Sequence, residues 1–130
     1  MIEVEIEPGL FIGDVEAARV FRGLVICVLN AWPFDGNPGA LWIPVIAADA
    51  DNLAKPIQAL PQNLDIITAE IDRCRGRVLV HCREARERSP LAVVWWLRHS
   101  RGLSLDDAYA LVRERRSAVI DRRAWLPEAP

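Results

Sequence analysis

Two residues in this sequence have the chemistry and the spacing of a catalytic pair. Cys82 follows the apolar run 78–80, and Arg88 comes six positions later, directly before Ser89 and Pro90. The run is typical of a strand buried on both faces, and Ser89 is predicted to cap a helix that Pro90 helps to start. The order strand, loop, helix therefore predicts a thiol and a guanidinium around one anion site, as the cleavage of a phosphate ester by a thiol requires.

Spacing alone would not single out this pair, because arginine accounts for nearly all of the 16 basic residues in a chain of 130. The other two cysteines lack the pattern, since Cys27 and Cys74 are followed six residues later by proline and valine. A cysteine at a strand end is more often a plain core residue, and Arg88 would then be an exposed cation at an unfavourable helix start. The strand, the cap and the proline together favour the functional interpretation.

Each residue type has a specific chemical task in such a site. Successive backbone N–H groups can bind an anion, and the start of a helix adds partial positive charge. This field favours the thiolate form of cysteine, so Cys82 is predicted to be a nucleophile. Arg88 would hold two phosphoryl oxygens through its planar fork, which lysine could not copy. The Ser89 hydroxyl would help the thiolate leave a phosphocysteine, and His81 would orient the loop rather than transfer a proton.

With these residues in place, the chain resembles the cysteine-dependent dual-specificity protein phosphatases of the protein tyrosine phosphatase superfamily. The signature is His-Cys-x5-Arg-Ser at 81–89. Weaker similarities follow in the family's order at 8–14, 23–30, 42–45, 103–108 and 112–116. The resemblance covers nearly the whole chain and implies a single domain over residues 1–130.

The resemblance implies a phosphatase that hydrolyses phosphomonoesters, with phosphotyrosine and also phosphoserine or phosphothreonine as substrates, through a phosphocysteine intermediate. A phosphorylated protein or a small phosphate ester would be the partner, and no metal or cofactor would be required. The residues that would surround the phosphate are Arg83, Glu84, Ala85, Arg86, Glu87 and Arg88.

The loop departs from the family pattern at two positions. Ala85 stands where the family usually has glycine, and Glu87 stands where a small residue is usual. Phosphatases of the rhodanese-like cell-division-cycle type share both departures. They leave open a pseudophosphatase that binds phosphorylated partners without turnover, and, less favoured, a rhodanese-like sulfurtransferase that would form a persulfide on Cys82.

The charges of the loop bear on the substrate. Basic residues at the positions of Arg83 and Arg86 favour inositol phosphates in the lipid-phosphatase branch of the superfamily. Glu84 and Glu87 offset both charges here. A self-paired, solvated cluster is therefore the preferred interpretation, and a polyphosphate substrate is the lesser one.

The leaving oxygen needs a general acid, which the family places on the loop after the strand that ends here near residue 45 or 46. Asp49 is the preferred candidate and Asp51 is the alternative. Asp35, beside Gly36, is the third. Each could instead be a turn or cap residue, which is common for aspartate beside asparagine and glycine.

Composition sets the remaining bounds. A hydrophobic share of 52% is ample for a core, and a net charge of −2 predicts no affinity for nucleic acid. No apolar stretch approaches the ~20 residues of a membrane span, and the acidic N-terminus is unlike a signal peptide, so a cytoplasmic protein without membrane contact is expected. Cys27 is predicted to be inert, and Cys74 could be a reserve thiol that protects Cys82 as a disulfide, although a plain helix-end residue is favoured.

Alternating strand and helix patterns predict an α/β fold with a mostly parallel central sheet flanked by helices, and a phosphate-binding loop between one strand and the following helix. The predicted strands cover 2–6, 10–12, 24–29, 41–46 and 78–80. The predicted helices run from the cap Asp14 to 22, from 64 to 75, from 89 to about 101, and from the cap Ser104 to about 116. Trp125 is expected to pack back on the body.

Overall fold

The computed structural model describes residues 1–36, 39–47 and 56–127. Its strands are β1 (Glu3–Glu7), β2 (Leu10–Gly13), β3 (Leu24–Cys27), β4 (Leu41–Trp42) and β5 (Val78–His81). Its α-helices are α1 (Val15–Val20), α2 (Pro61–Arg73), α3 (Arg88–Arg101) and α4 (Leu105–Arg115), and a 3₁₀ turn follows at Arg123–Trp125.

The five strands form one sheet in the order β1-β2-β5-β3-β4. β5 lies at its centre and pairs in parallel with β2 and β3, while β4 continues the parallel part and β1 is antiparallel at one edge. Every residue of β5 is buried, as expected for a strand covered on both faces. The predicted α/β fold with a mostly parallel sheet is confirmed.

Helix α3 is the central helix, because most of its first ten residues are buried against the sheet and α2. The adjacent indoles of Trp95 and Trp96 donate to Asp65 and Asp72 of α2 at 2.9 and 2.8 Å, so both tie the same pair of helices. The helix ends at Gly102, whose φ of 71° is the left-handed cap that glycine favours. No helix in the described ranges is long and apolar enough to cross a membrane.

Several predicted boundaries were wrong where tertiary packing decides the backbone. α1 stops at Val20 rather than residue 22, because Phe21 turns extended and packs its ring against Phe11 and under the Arg77 guanidinium. β4 has two residues instead of six, although Val45 N–H still reaches Val28 O at 3.3 Å. α2 starts three residues earlier than predicted, at a proline suited to a first helical position.

Candidate active site

The predicted catalytic pair lies where β5 passes into α3. Cys82 follows β5 directly, and its N–H bonds to Gly13 O at 3.2 Å, which extends the parallel pairing with β2 by one residue. Arg88 is the first residue of α3. The intervening turn, the 82–88 loop, therefore lies at the carboxyl edge of the sheet, where parallel sheets bind ligands.

A pocket of about 410 Å³ opens over this loop. Its lining residues are Ile46, Ile57, Cys82, Arg83, Glu84, Arg86, Glu87, Arg88, Arg122 and Trp125. Most of the loop residues predicted to surround a phosphate are thus brought together. Ala85 is the exception, because it is fully buried and does not line the pocket.

Cys82 is 3% exposed, and its Sγ lies 3.3 Å from the hydroxyl oxygen of Ser89, a fully buried residue. The prediction that Ser89 caps the helix was wrong. It is the second residue of α3, and Glu87 occupies the cap position without a side-chain cap bond. The hydroxyl instead contacts the Cys82 sulfur, so it can donate a hydrogen bond to the thiolate.

In the phosphocysteine mechanism that the family resemblance implies, removing this hydroxyl is expected to slow the release of the thiolate rather than its attack. In Ser89→Ala, we expect the first turnover to stay within a few-fold of the natural rate. Breakdown of the intermediate should slow roughly tenfold to hundredfold, the range for one hydrogen bond to a charged group. Rapid-quench kinetics with p-nitrophenyl phosphate should show a larger burst of p-nitrophenol in the variant than in the natural protein. Equal slowing of both phases would contradict this role.

His81 is fully buried beneath the loop, where its ring lies edge-on to Phe34 with centroids 5.4 Å apart. Its Nδ1 lies 3.3 Å from Cys82 O and can donate to it in the matching tautomer. Burial lowers the pKa of the imidazole below its usual value, so the ring is neutral at neutral pH. The orienting role of His81 stays a prediction, and its contact with the Cys82 carbonyl is the kind of bond that this role requires.

A lowered His81 pKa makes stability depend on pH in a defined direction. Below about pH 6.5 the unfolded chain takes up a proton that the native ring resists, so this site destabilises the fold as pH falls. We expect the natural protein to lose up to about 1.4 kcal/mol per pH unit from this source. His81→Asn should lack that loss. Denaturant titrations of both proteins between pH 7.5 and 5.5 measure it, and parallel pH profiles would refute it.

The charged side chains of the loop are largely paired. Arg86 lies 3.5 Å from Glu84, and Glu87 lies 2.9 Å from Arg122 rather than from a loop arginine. Arg83 is exposed and makes no ion pair within the described part of the chain. The carboxylate of Glu87 is thus compensated by a cation that sequence reasoning did not place here, which keeps the pocket suitable for an anion.

Ala85 adopts the backbone conformation that a glycine would be expected to provide. Its φ is +53°, and it is the only residue other than glycine with a positive φ among the residues described. The left-handed region costs an L-residue roughly 1–2 kcal/mol. At this position the loop therefore has a conformation that glycine would adopt with less strain than alanine.

One wall of the pocket comes from the C-terminal segment. The Arg122 guanidinium lies over the Trp125 ring at 5.1 Å, and the Arg122 N–H donates to the Tyr109 hydroxyl at 3.0 Å. Burial raises the pKa of Tyr109 to about 12, so this anchor stays a neutral phenol. Trp125 O accepts from Ala59 N–H at 2.7 Å, which confirms that Trp125 packs back on the body.

The other cysteines take no part in the pocket. Cys27 is fully buried at the end of β3, and burial raises the pKa of its thiol, as expected for an inert cysteine. Cys74 precedes β5 and Cys82 follows it, so they lie at opposite ends of a four-residue strand about 13 Å long. A disulfide needs Cα atoms within about 7 Å, so this placement favours the plain helix-end interpretation of Cys74 over the reserve thiol.

The preferred general acids, Asp49 and Asp51, lie outside the described residues. On either side of that segment, Ile46 and Ile57 both line the pocket. Ile46 also bridges to Ala59, which brings the two ends of the segment together. Asp35, the third candidate, is exposed and does not line the pocket.

Comparison with known proteins agrees with this geometry. The family model "Dual specificity phosphatase, catalytic domain" matches residues 28–127. Human Dual specificity protein phosphatase 2 is 33% identical over 125 residues, which cover 89% of this chain and 38% of that protein. Mouse Dual specificity phosphatase 28 is 30% identical over 120 residues, or 85% of this chain and 71% of that protein. The chain thus spans well under half of the first relative.

Solved structures show the same fold. A crystal structure of human DUSP28 superimposes with a TM-score of 0.72 at 26% identity, covering 94% of this chain and 89% of that one. A mouse structure described as a dual specificity phosphatase complexed with zinc tungstate gives a TM-score of 0.73 at 25% identity, with 98% and 93% coverage. Because the family match spans most of the chain and includes the Cys82 loop, this chain belongs to the dual specificity phosphatases, cysteine-dependent members of the protein tyrosine phosphatase superfamily.

Proposed function

We propose that this chain hydrolyses phosphomonoesters, with phosphotyrosine and phosphoserine or phosphothreonine side chains as substrates, through a phosphocysteine on Cys82. One observation carries the proposal. The Cys82 thiol lies at the base of an open pocket beside the buried Ser89 hydroxyl, and Arg88 lines that pocket from the first turn of α3.

In the first step, the Cys82 thiolate attacks phosphorus as the bond to the ester oxygen breaks. Arg88 and the loop N–H groups hold the three remaining oxygens, whose charge is greatest in the transition state. Asp49 protonates the departing oxygen, with Asp51 as the alternative acid. The products are the free alcohol or phenol and a phosphoryl group on sulfur.

In the second step, water attacks the phosphocysteine and its proton passes to the same carboxylate, now ionised. The thiolate leaves with the Ser89 hydroxyl donating to it, and inorganic phosphate departs. Every proton is exchanged between the acid, the substrate and water, so the cycle uses no metal or cofactor. Since the nucleophile must stay reduced, we place the protein in a reducing compartment such as the cytoplasm. All three cysteines are free in the structure.

The two aspartate candidates can be separated by their dependence on the leaving group. In the true acid, replacement by asparagine should slow cleavage of phenyl phosphate roughly 10²–10⁴-fold, the usual contribution of a general acid. The loss should be far smaller for p-nitrophenyl phosphate, whose leaving group needs little protonation. We expect this selective loss in Asp49→Asn and near-natural rates in Asp51→Asn. The reverse ranking would move the role to Asp51.

The test of the proposed function is direct detection of the intermediate. The protein is mixed with p-nitrophenyl phosphate under reducing conditions with a metal chelator, quenched in acid and digested. A phosphoryl group on the peptide that contains Cys82, together with steady turnover, would support the proposal. Binding of tungstate without turnover or phosphorylation would instead favour the pseudophosphatase, in which the same pocket only holds phosphorylated partners.

A further inference from the structure

The outer side of the 82–88 loop has three consecutive carbonyls that bond to one segment of the chain. Arg116 donates through Nε to Ala85 O and through a terminal nitrogen to Glu84 O, both at 2.9 Å. The backbone N–H of Ile120 donates to Arg86 O at 2.8 Å. Residues 116–120, which follow α4, therefore bind the loop from behind.

These three bonds determine where the loop's N–H groups point. The described peptide bonds are trans, so the N–H of each unit points opposite to its C=O. Carbonyls directed at residues 116–120 turn the N–H groups of Ala85, Arg86 and Glu87 away from that segment. The pocket lies on that other side, because the loop residues Arg86 and Glu87 line it and residues 116–120 do not.

The backbone at Ala85 needs such an external restraint. With φ at +53°, the residue lies in a region that its Cβ disfavours. A strained residue persists only where its surroundings fix it. Relaxing Ala85 to a negative φ would rotate an adjacent peptide unit, so that a carbonyl and not an N–H would face the anion.

Arg116 is well placed to supply this restraint. It is half-buried at the end of α4, where its own N–H bonds to Val112 O at 2.9 Å. Its rigid fork can donate to two neighbouring carbonyls at once, which a lysine ammonium on a flexible stem does less well. Val119, in the same segment, is 2% exposed and fixes it to the core.

We propose that Arg116 is a positioning residue for the phosphatase reaction: with the Ile120 N–H, it holds the Glu84, Ala85 and Arg86 carbonyls outward and keeps Ala85 left-handed, so that the loop N–H groups face the phosphoryl oxygens. The inference rests on the proposed function, because it assumes that the loop binds a phosphoryl group. It assigns a role to a residue more than thirty positions away from the two carbonyls that it binds.

The test is a double-mutant cycle between Arg116 and Ala85. Arg116→Met removes both donors and keeps the apolar stem, Arg116→Lys keeps the charge, and Ala85→Gly removes the strain. Arg115→Met is the matched control, since Arg115 is exposed one position away and the charge change is the same. The melting temperature of each protein is measured first. Tungstate affinity, and kcat and KM for p-nitrophenyl phosphate, are then measured at a temperature well below it.

We expect Arg116→Met to weaken tungstate binding and lower kcat/KM by roughly tenfold to hundredfold, as the loss of charge-assisted bonds predicts. Arg116→Lys should be intermediate. In the Ala85→Gly background the same change should cost only a few-fold, because glycine needs no restraint to stay left-handed. This interaction between the two sites is something that a merely stabilising arginine would not produce.

Two results would overturn the inference and leave the proposed function standing: an Arg116→Met affinity within twofold of Arg115→Met, or equal losses with Ala85 and Gly at position 85. If Arg116→Met does not fold, the effect of Arg116→Lys is compared in the same way between the natural protein and the Ala85→Gly variant. Natural protein that neither binds tungstate nor hydrolyses the ester would overturn both the inference and the proposed function.

Discussion

Replacing Cys82 with serine is expected to abolish hydrolysis of p-nitrophenyl phosphate while leaving tungstate binding intact. A serine hydroxyl is almost fully protonated at neutral pH, so it is a far weaker nucleophile there than a cysteine thiolate. Loss of the nucleophile from a covalent mechanism costs about 10⁴-fold or more. Binding should persist, because Arg88 and the loop N–H groups are unchanged. Steady-state assays with equilibrium tungstate titration measure both quantities.

The matched control for this change is Cys74→Ser. It makes the same substitution at a partly exposed cysteine beyond the far end of β5, so full activity is expected. Hydrolysis by Cys82→Ser within roughly tenfold of the natural rate would rule out a thiolate mechanism. Loss of both activity and tungstate binding at an unchanged melting temperature would show that the sulfur itself shapes the anion site.

The second large effect is expected at Arg88, where lysine should cost roughly 10³-fold in kcat/KM, at the low end of the values for arginines that stabilise phosphoryl transfer. Lysine keeps the charge but loses the planar fork that can hold two oxygens at once. Arg88 lines the pocket and makes no ion pair within the described ranges, so its fork is available to a ligand.

The comparison of kcat with KM separates geometry from charge in this variant. A fork that matches the transition state should be lost mainly from kcat, whereas a simple loss of attraction would appear in KM. Arg98→Lys, an exposed change in the last turn of α3, is the control and should keep natural kinetics. An Arg88→Lys variant with natural kcat would remove Arg88 from the transition state.

Short sequence patterns correctly predicted the central strand and the start of the last α-helix, because neighbouring residues determine these conformations. The run 78–80 gave the central strand β5, and Ser104 caps α4 by accepting from the Asp107 N–H, as the Ser-x-x-Asp pattern indicated. The end of α1 could not be found in this way. Phe21 leaves the helix because its ring contacts Phe11 and Arg77. Phe11 belongs to β2, and Arg77 is far away in the sequence, so no local pattern indicates these contacts.

The same distinction between local patterns and distant contacts applies to the residues of the candidate site. Cys82, Arg88 and Ser89 are close in sequence and follow a strand signal, so their proximity could be predicted. Arg116 and Arg122 could not, because their role depends on how the segment after α4 folds back over the 82–88 loop. In a chain this rich in arginine, residue type alone did not distinguish them from exposed surface cations.

The central position of β5 has a consequence for biosynthesis. Val78 pairs with Leu10 on one side and with Leu24 on the other, so β2 and β3 are joined in the sheet only through β5. Before β5 has been synthesised, the edges of β2 and β3 that will face it have unpaired N–H and C=O groups. Such edges are templates for pairing with other chains. We therefore expect an incomplete chain that ends before residue 78 to expose two unpaired strand edges and to aggregate more readily than the full chain.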